Sequence, residues 1–145
     1  MSSCPRVVFL RFASADSPKL GPWKEHGRRV MGVPPAETAP GSAVIWHLSS
    51  ANNRMLGRSA AIYREVADAA ESLRSNVADF ASWKIRLVGD EVRGNYGWYA
   101  AIDHEPVMIC ARWYTTERDR RHALDLALDS IVVADVSTGS RLVGG

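Results

Sequence analysis

Cys110, set against His104 or His122, is the one combination in this 145-residue chain that could supply a nucleophile and its base. A thiol reacts as thiolate, so it needs a nearby base and a third group to orient that base. No third group is identifiable, and Cys110 falls inside Val107 to Tyr114, a run patterned as a strand. A cysteine there behaves as a small hydrophobe. Asp103-His104-Glu105 sets two carboxylates around an imidazole and could work as acid and base. With Pro106 it also has the composition of a hairpin tip, which accounts for it without chemistry. The four histidines, His26, His47, His104 and His122, lack paired ligand spacing, and Cys4 has no cysteine neighbour, so no metal site is expected. No glycine-rich phosphate loop or nucleophile elbow occurs. The chain therefore reads as non-catalytic and without a cofactor.

A second pattern concerns binding. In Trp83 to Val88, Lys84 and Arg86 alternate against Trp83, Ile85 and Leu87. Tyr99 alternates against Trp98 and Ala100, His47 against Trp46 and Leu48, and Arg112 against Trp113. With helices over the tryptophan face, His47, Lys84, Arg86, Tyr99 and Arg112 line an open sheet face. Cations interleaved with aromatics can contact phosphates and stack bases. A solvated antiparallel face gives the same alternation with no ligand.

These residues are carried by elements that repeat. Trp46 aligns with Trp98 at a separation of 52, and Tyr63 with Tyr114 at 51. In each copy a strand (Val44 to Ser50; Tyr96 to Ile102) meets a turn (Ala51 to Arg54; Asp103 to Pro106) and a returning strand (Met55 to Tyr63; Val107 to Tyr114). A helix follows, over Glu65 to Asn76 and then Glu117 to Ser130, the second with Thr116 as N-cap. Arg6 to Phe12 and Trp83 to Val88 precede the hairpins, and Val77 to Phe80 and Ile131 to Val136 are read as extended stretches after the helices. The predicted fold class is α+β: one largely antiparallel sheet from two tandem β-β-β-α-β units, with two helices on one face. The domain is single over 1–145, with repeats at 6–80 and 83–136 and a fraying tail at 137–145. The first repeat carries an insert, 13–42, whose Pro18, Pro22, Pro34, Pro35 and Pro40 predict a loop packing little into the core.

Trp46, Leu48, Ala51-Asn52-Asn53, Leu56, Ser59, Tyr63, Ala69-Ala70 and Asn76 follow a family pattern. It runs from an aromatic strand through a small-residue turn, an aliphatic strand, Ser and Tyr to an alanine-rich helix. In this the first copy resembles the YegP-like group of small uncharacterised proteins. The second copy keeps Trp98, Tyr114 and the helix and departs at its turn. The resemblance covers most of Val44 to Val136 and implies a sheet of two such units with exchanged C-terminal strands. It carries over no catalytic residue.

Composition bounds the partners. Hydrophobic residues make up 46% and charged residues 23%, a globular balance. The net charge of +2 does not by itself call for nucleic acid or membrane. Up to Asn76 there are 10 basic and 6 acidic residues; beyond it, 8 and 10. That asymmetry leans towards an anionic contact in the first half. No apolar run has the length of a membrane span, and two distant cysteines suit a reducing, cytoplasmic setting. The expected function is a non-catalytic binding or assembly module for an unknown protein or anionic ligand, as monomer or homodimer. The alternative is sequence-tolerant binding of single-stranded nucleic acid on the open face.

Overall fold

The computed structural model describes residues 4–37, 42–90 and 92–143. Alternating apolar residues make β1 (Arg6–Phe12) and β3 (Ala43–Ser49), which pair antiparallel along seven residues. β4 (Met55–Ser59) returns from β3 through a turn in which Asn53 takes a positive φ of 63°. An asparagine tolerates that left-handed conformation. The later hairpin repeats the plan: β6 (Lys84–Asp90), β7 (Asn95–Ile102) and β8 (Glu105–Cys110), with Asp103 and His104 at positive φ in its turn. The seven-stranded sheet runs β6-β7-β8-β4-β3-β1-β9, antiparallel except where β9 (Asp135–Val143) lies parallel to β1. A small parallel pair, β2 (Ala36–Glu37) and β5 (Ala61–Ile62), stands apart.

Two helices cover one face. α2 (Val66–Ala78) buries Ala69 and Leu73, and α3 (Glu117–Ile131) buries Ala127 and Ile131, all in one cluster with Val7, Phe9, Trp46 and Trp98. Thr116 caps α3, its Oγ1 accepting from the Asp119 amide at 3.0 Å. Trp46 and Trp98 are each 2% exposed or less, and losing either indole would cost roughly 3–5 kcal/mol. The two hairpins also share a closing bridge, Val44 with Tyr63 and Tyr96 with Tyr114.

Three expectations are corrected. Residues 18–31 of the insert fold into a 3-10 turn (Pro18–Leu20) and a third helix, α1 (Gly21–Met31), which packs on the opposite face of the sheet. Leu20 and Trp23 are buried against Phe12, Ala43 and Ile45. Pro18 and Pro22 sit in first-turn positions, where the missing N–H costs nothing, and Gly32 ends the helix at a φ of 79°. Residues 38–41 lie outside the described residues. Second, Val77 and Ala78 complete α2, and Phe80–Ser82 is a 3-10 turn, so no extended stretch separates α2 from β6. Trp83 holds that junction, donating from Nε1 to the Asn76 carbonyl at 2.8 Å. Third, most of the tail expected to fray is β9, anchored on β1; residues 144–145 lie outside the described residues.

Candidate functional site

Cross-strand register puts one residue from each of six strands in a single row: Val8, His47, Arg58, Ile109, Tyr99 and Arg86. His47, Tyr99 and Arg86 therefore share a face, and Lys84 shares it by alternation. That face is not open. α1 crosses it, Gly27 lying against Ile109 and Pro35, and leaves Tyr99 and His47 half-buried while Lys84 and Arg86 stay exposed at the sheet edge. Arg112 stands apart, past the end of β8, with its guanidinium 5.7 Å from the centre of the Tyr114 ring. The five residues do not make one continuous platform.

The residue that the alternation pattern passed over is Arg58, at the centre of the row. β4 and β8 pair over only three positions, Gly57 with Cys110, Arg58 with Ile109 and Ser59 with Met108. Gly57 permits this approach: a Cβ there would stand 3.0 Å from the Met108 Sδ. Beyond Cys110 the chain turns away to bridge Tyr114 to Tyr96. The sheet splits there, and a cleft of about 650 Å³ opens. Arg54, Met55, Leu56 and Arg58 line one side, Ala111 to Thr115 the other, and Asp119, His122, Ala123 and Leu126 of α3 close it.

The electrostatics are lopsided. Three guanidinium groups, on Arg54, Arg58 and Arg112, face a single carboxylate, Asp119. Among the described residues none of the three forms an ion pair within 4.0 Å. Arg58 is half-buried, and burial pushes its pKa below the ordinary arginine value. Its Nη2 donates to the Ala111 carbonyl at 2.5 Å, and its buried Nε has no hydrogen-bond partner among the described residues. A buried cation without a counter-ion is costly, and an anion in the cleft would offset that cost.

Two histidines flank Arg58, and burial disfavours the charged form of each. Burial lowers the pKa of His26 first of all, with Arg58 and Arg29 adding to it. Burial also lowers that of His47, followed by Arg141, Arg58 and Arg6, and neither of its ring nitrogens has a partner among the described residues. His26 Nε2 lies 2.9 Å from the Cys110 carbonyl, so it carries the proton and donates. The same nitrogen lies 3.9 Å from the Cys110 Sγ. Being a donor already, it is no base for the thiol, and burial pushes the Cys110 pKa to about 11. His104 is exposed at its turn, and His122 lies on the cleft wall. Among the described residues no group of three His, Cys, Asp or Glu side chains could hold a metal ion.

This architecture defines a class. It is the α+β fold of the YegP-like proteins, as comparison with solved structures establishes. The solution structure of yegP from E. coli, a protein of unknown function, superposes at a TM-score of 0.55 with 12% identity, covering 97% of each chain. The UPF0339 protein SO3888 from Shewanella oneidensis gives a TM-score of 0.53 with 10% identity, over 90% of this chain and 89% of that one. At such identities the likeness is one of fold. No family model matches the sequence, and no curated protein matches it either.

Proposed function

We propose that this chain is a non-catalytic binding module whose ligand is a small organic anion, a carboxylate or phosphate monoester with an apolar body, held in the cleft at the split between β4 and β8. One observation carries the reading: Arg58 is half-buried on the cleft wall with no carboxylate partner among the described residues. Arg54 and Arg112 add two further cations, and Met55, Leu56, Tyr114 and Leu126 offer apolar surface beside them. A charged head with an apolar body suits such a lining, and the volume lies in the range of small-molecule sites. Support for the non-catalytic half comes from Cys110, whose pKa near 11 leaves it a thiol, and from His26, whose Nε2 is committed to a backbone carbonyl.

Thermal melting tests the proposal, with inorganic phosphate, phenyl phosphate and benzoate as probes. Binding to the folded state raises the midpoint by mass action, so phenyl phosphate should raise it most. Arg58→Met should remove the shift while leaving the protein folded by circular dichroism. No shift with any probe, or a shift that survives Arg58→Met, overturns the reading. Binding of a single-stranded oligonucleotide that needs Lys84 and Arg86 but not Arg58 would move the function to the sheet edge.

A further inference from the structure

The two edges of the sheet are unlike. β9 follows β1 through a register shift between Val7 and Phe9, and such irregularity blunts an edge. β6 is regular: all seven of its residues pair with β7, and its other side has no strand among the described residues. Leu87 stands at its middle, 58% exposed. Lys84 is at one end, exposed and without an ion pair among the described residues, and Asp90 is at the other.

From this we infer that two copies of the chain associate edge to edge through β6, antiparallel about a two-fold axis at Leu87, joining two sheets into one. In that register Leu87 meets Leu87 of the second copy, and each Lys84 faces an Asp90 directly across. Arg86 meets Val88, and Ile85 meets Gly89. Paired residues in an antiparallel ladder share a face, so the two-fold can shift only from residue to residue. Moving it to Arg86 sets two guanidinium groups opposite each other, and moving it to Val88 or Arg86 leaves two strand residues of each copy unpaired. Asp90 already accepts from the Val92 and Arg93 amides through Oδ1, which fixes its carboxylate, while Oδ2 contacts the Arg93 Nε at 3.5 Å. A carboxylate has lone pairs for Lys84 of the second copy as well. The pairing touches no residue of the anion cleft, so the two proposals stand or fall separately.

Sedimentation equilibrium and directed cross-linking test it. The unaltered chain should show a concentration-dependent monomer–dimer equilibrium. Leu87→Asp sets two carboxylates face to face and should weaken dimerisation by at least about tenfold. In a Cys4→Ser background, mild oxidation of Leu87→Cys should give a disulfide-linked dimer, because only the residue on the axis meets itself. Ile85→Cys, two residues along the same edge, should cross-link far less. A chain that stays monomeric up to about 0.2 mM overturns the inference, since weak transient pairs would be visible there. So does a dimer indifferent to Leu87→Asp, or equal cross-linking at 85 and 87.

Discussion

Arg58 was legible in the sequence only as one more basic residue in a strand weakened by Gly57, because its meaning lies in what is missing around it. Arginines elsewhere find partners close in sequence: Arg28 with Glu25 on α1, and Arg74 with Glu71 on α2. An absent partner cannot be read from local spacing. A cation kept for a ligand lowers stability, so Arg58→Met should leave the ligand-free protein as stable as before or stabilise it by up to about 2 kcal/mol, read by urea unfolding. A loss of several kcal/mol would make Arg58 a structural residue. Cys110, by contrast, was legible as a buried small hydrophobe, and a thiol with a pKa near 11 should react with a disulfide reagent only after unfolding. His26 and His47 have a measurable consequence in pH. Both have folded pKa values below the ordinary 6.5, so the unfolded chain binds protons that the folded one refuses. Their contribution is full above 6.5 and drains away as pH falls through 6.5 towards the lowered folded values. His47→Gln should flatten that part of the stability profile, measured by denaturant unfolding across pH.

At the scale of elements, hairpins and helices were readable because their periods are strong. Val44 to Ser50 sets Trp46 and Leu48 against His47, Tyr96 to Ile102 sets Trp98 and Ala100 against Tyr99, and Thr116 announces the start of α3. α1 was missed because five prolines between residues 18 and 40 outweighed a short apolar stripe. The two that matter, Pro18 and Pro22, stand at helix starts, where proline is tolerated. Of β9 only Asp135 and Val136 fell in the extended stretch read from Ile131, itself the last residue of α3. The rest was missed because Ser137, Gly139 and Ser140 carry little strand propensity, and pairing with β1 supplies the order instead. α1 therefore belongs to the fold, and Trp23→Ala should cost about 3–5 kcal/mol, where a loop anchor would cost little. Gly97 tests the packing at the split in the sheet. A Cβ there would stand 2.8 Å from the Trp113 ring and 3.2 Å from the Cys110 Sγ, so Gly97→Ala should destabilise by about 1–3 kcal/mol. Each hairpin closes on a tyrosine through one bridge, Val44–Tyr63 in the first and Tyr96–Tyr114 in the second.

Across the whole molecule, the largely antiparallel sheet and the two helices on one face were legible in the pattern of strands, turns and helices. The use of the second face was not, since an insertion supplies its cover. His47, Tyr99 and Arg86 stand in one cross-strand row with Lys84 on the same face, and α1 decides which of them solvent reaches. The cleft proposed to take an anion arises one level higher, where two hairpins meet over three residue pairs and then part. No single segment encodes that split. The most direct measurement of its role is a nuclear magnetic resonance titration of arginine side chains labelled with nitrogen-15, using phenyl phosphate. The account predicts saturable shifts at Arg58 Nε, with smaller ones at Arg54 and Arg112, while Arg11 and Arg118 stay where they are. Shifts spread evenly over all the arginines, or none at Arg58, would contradict it.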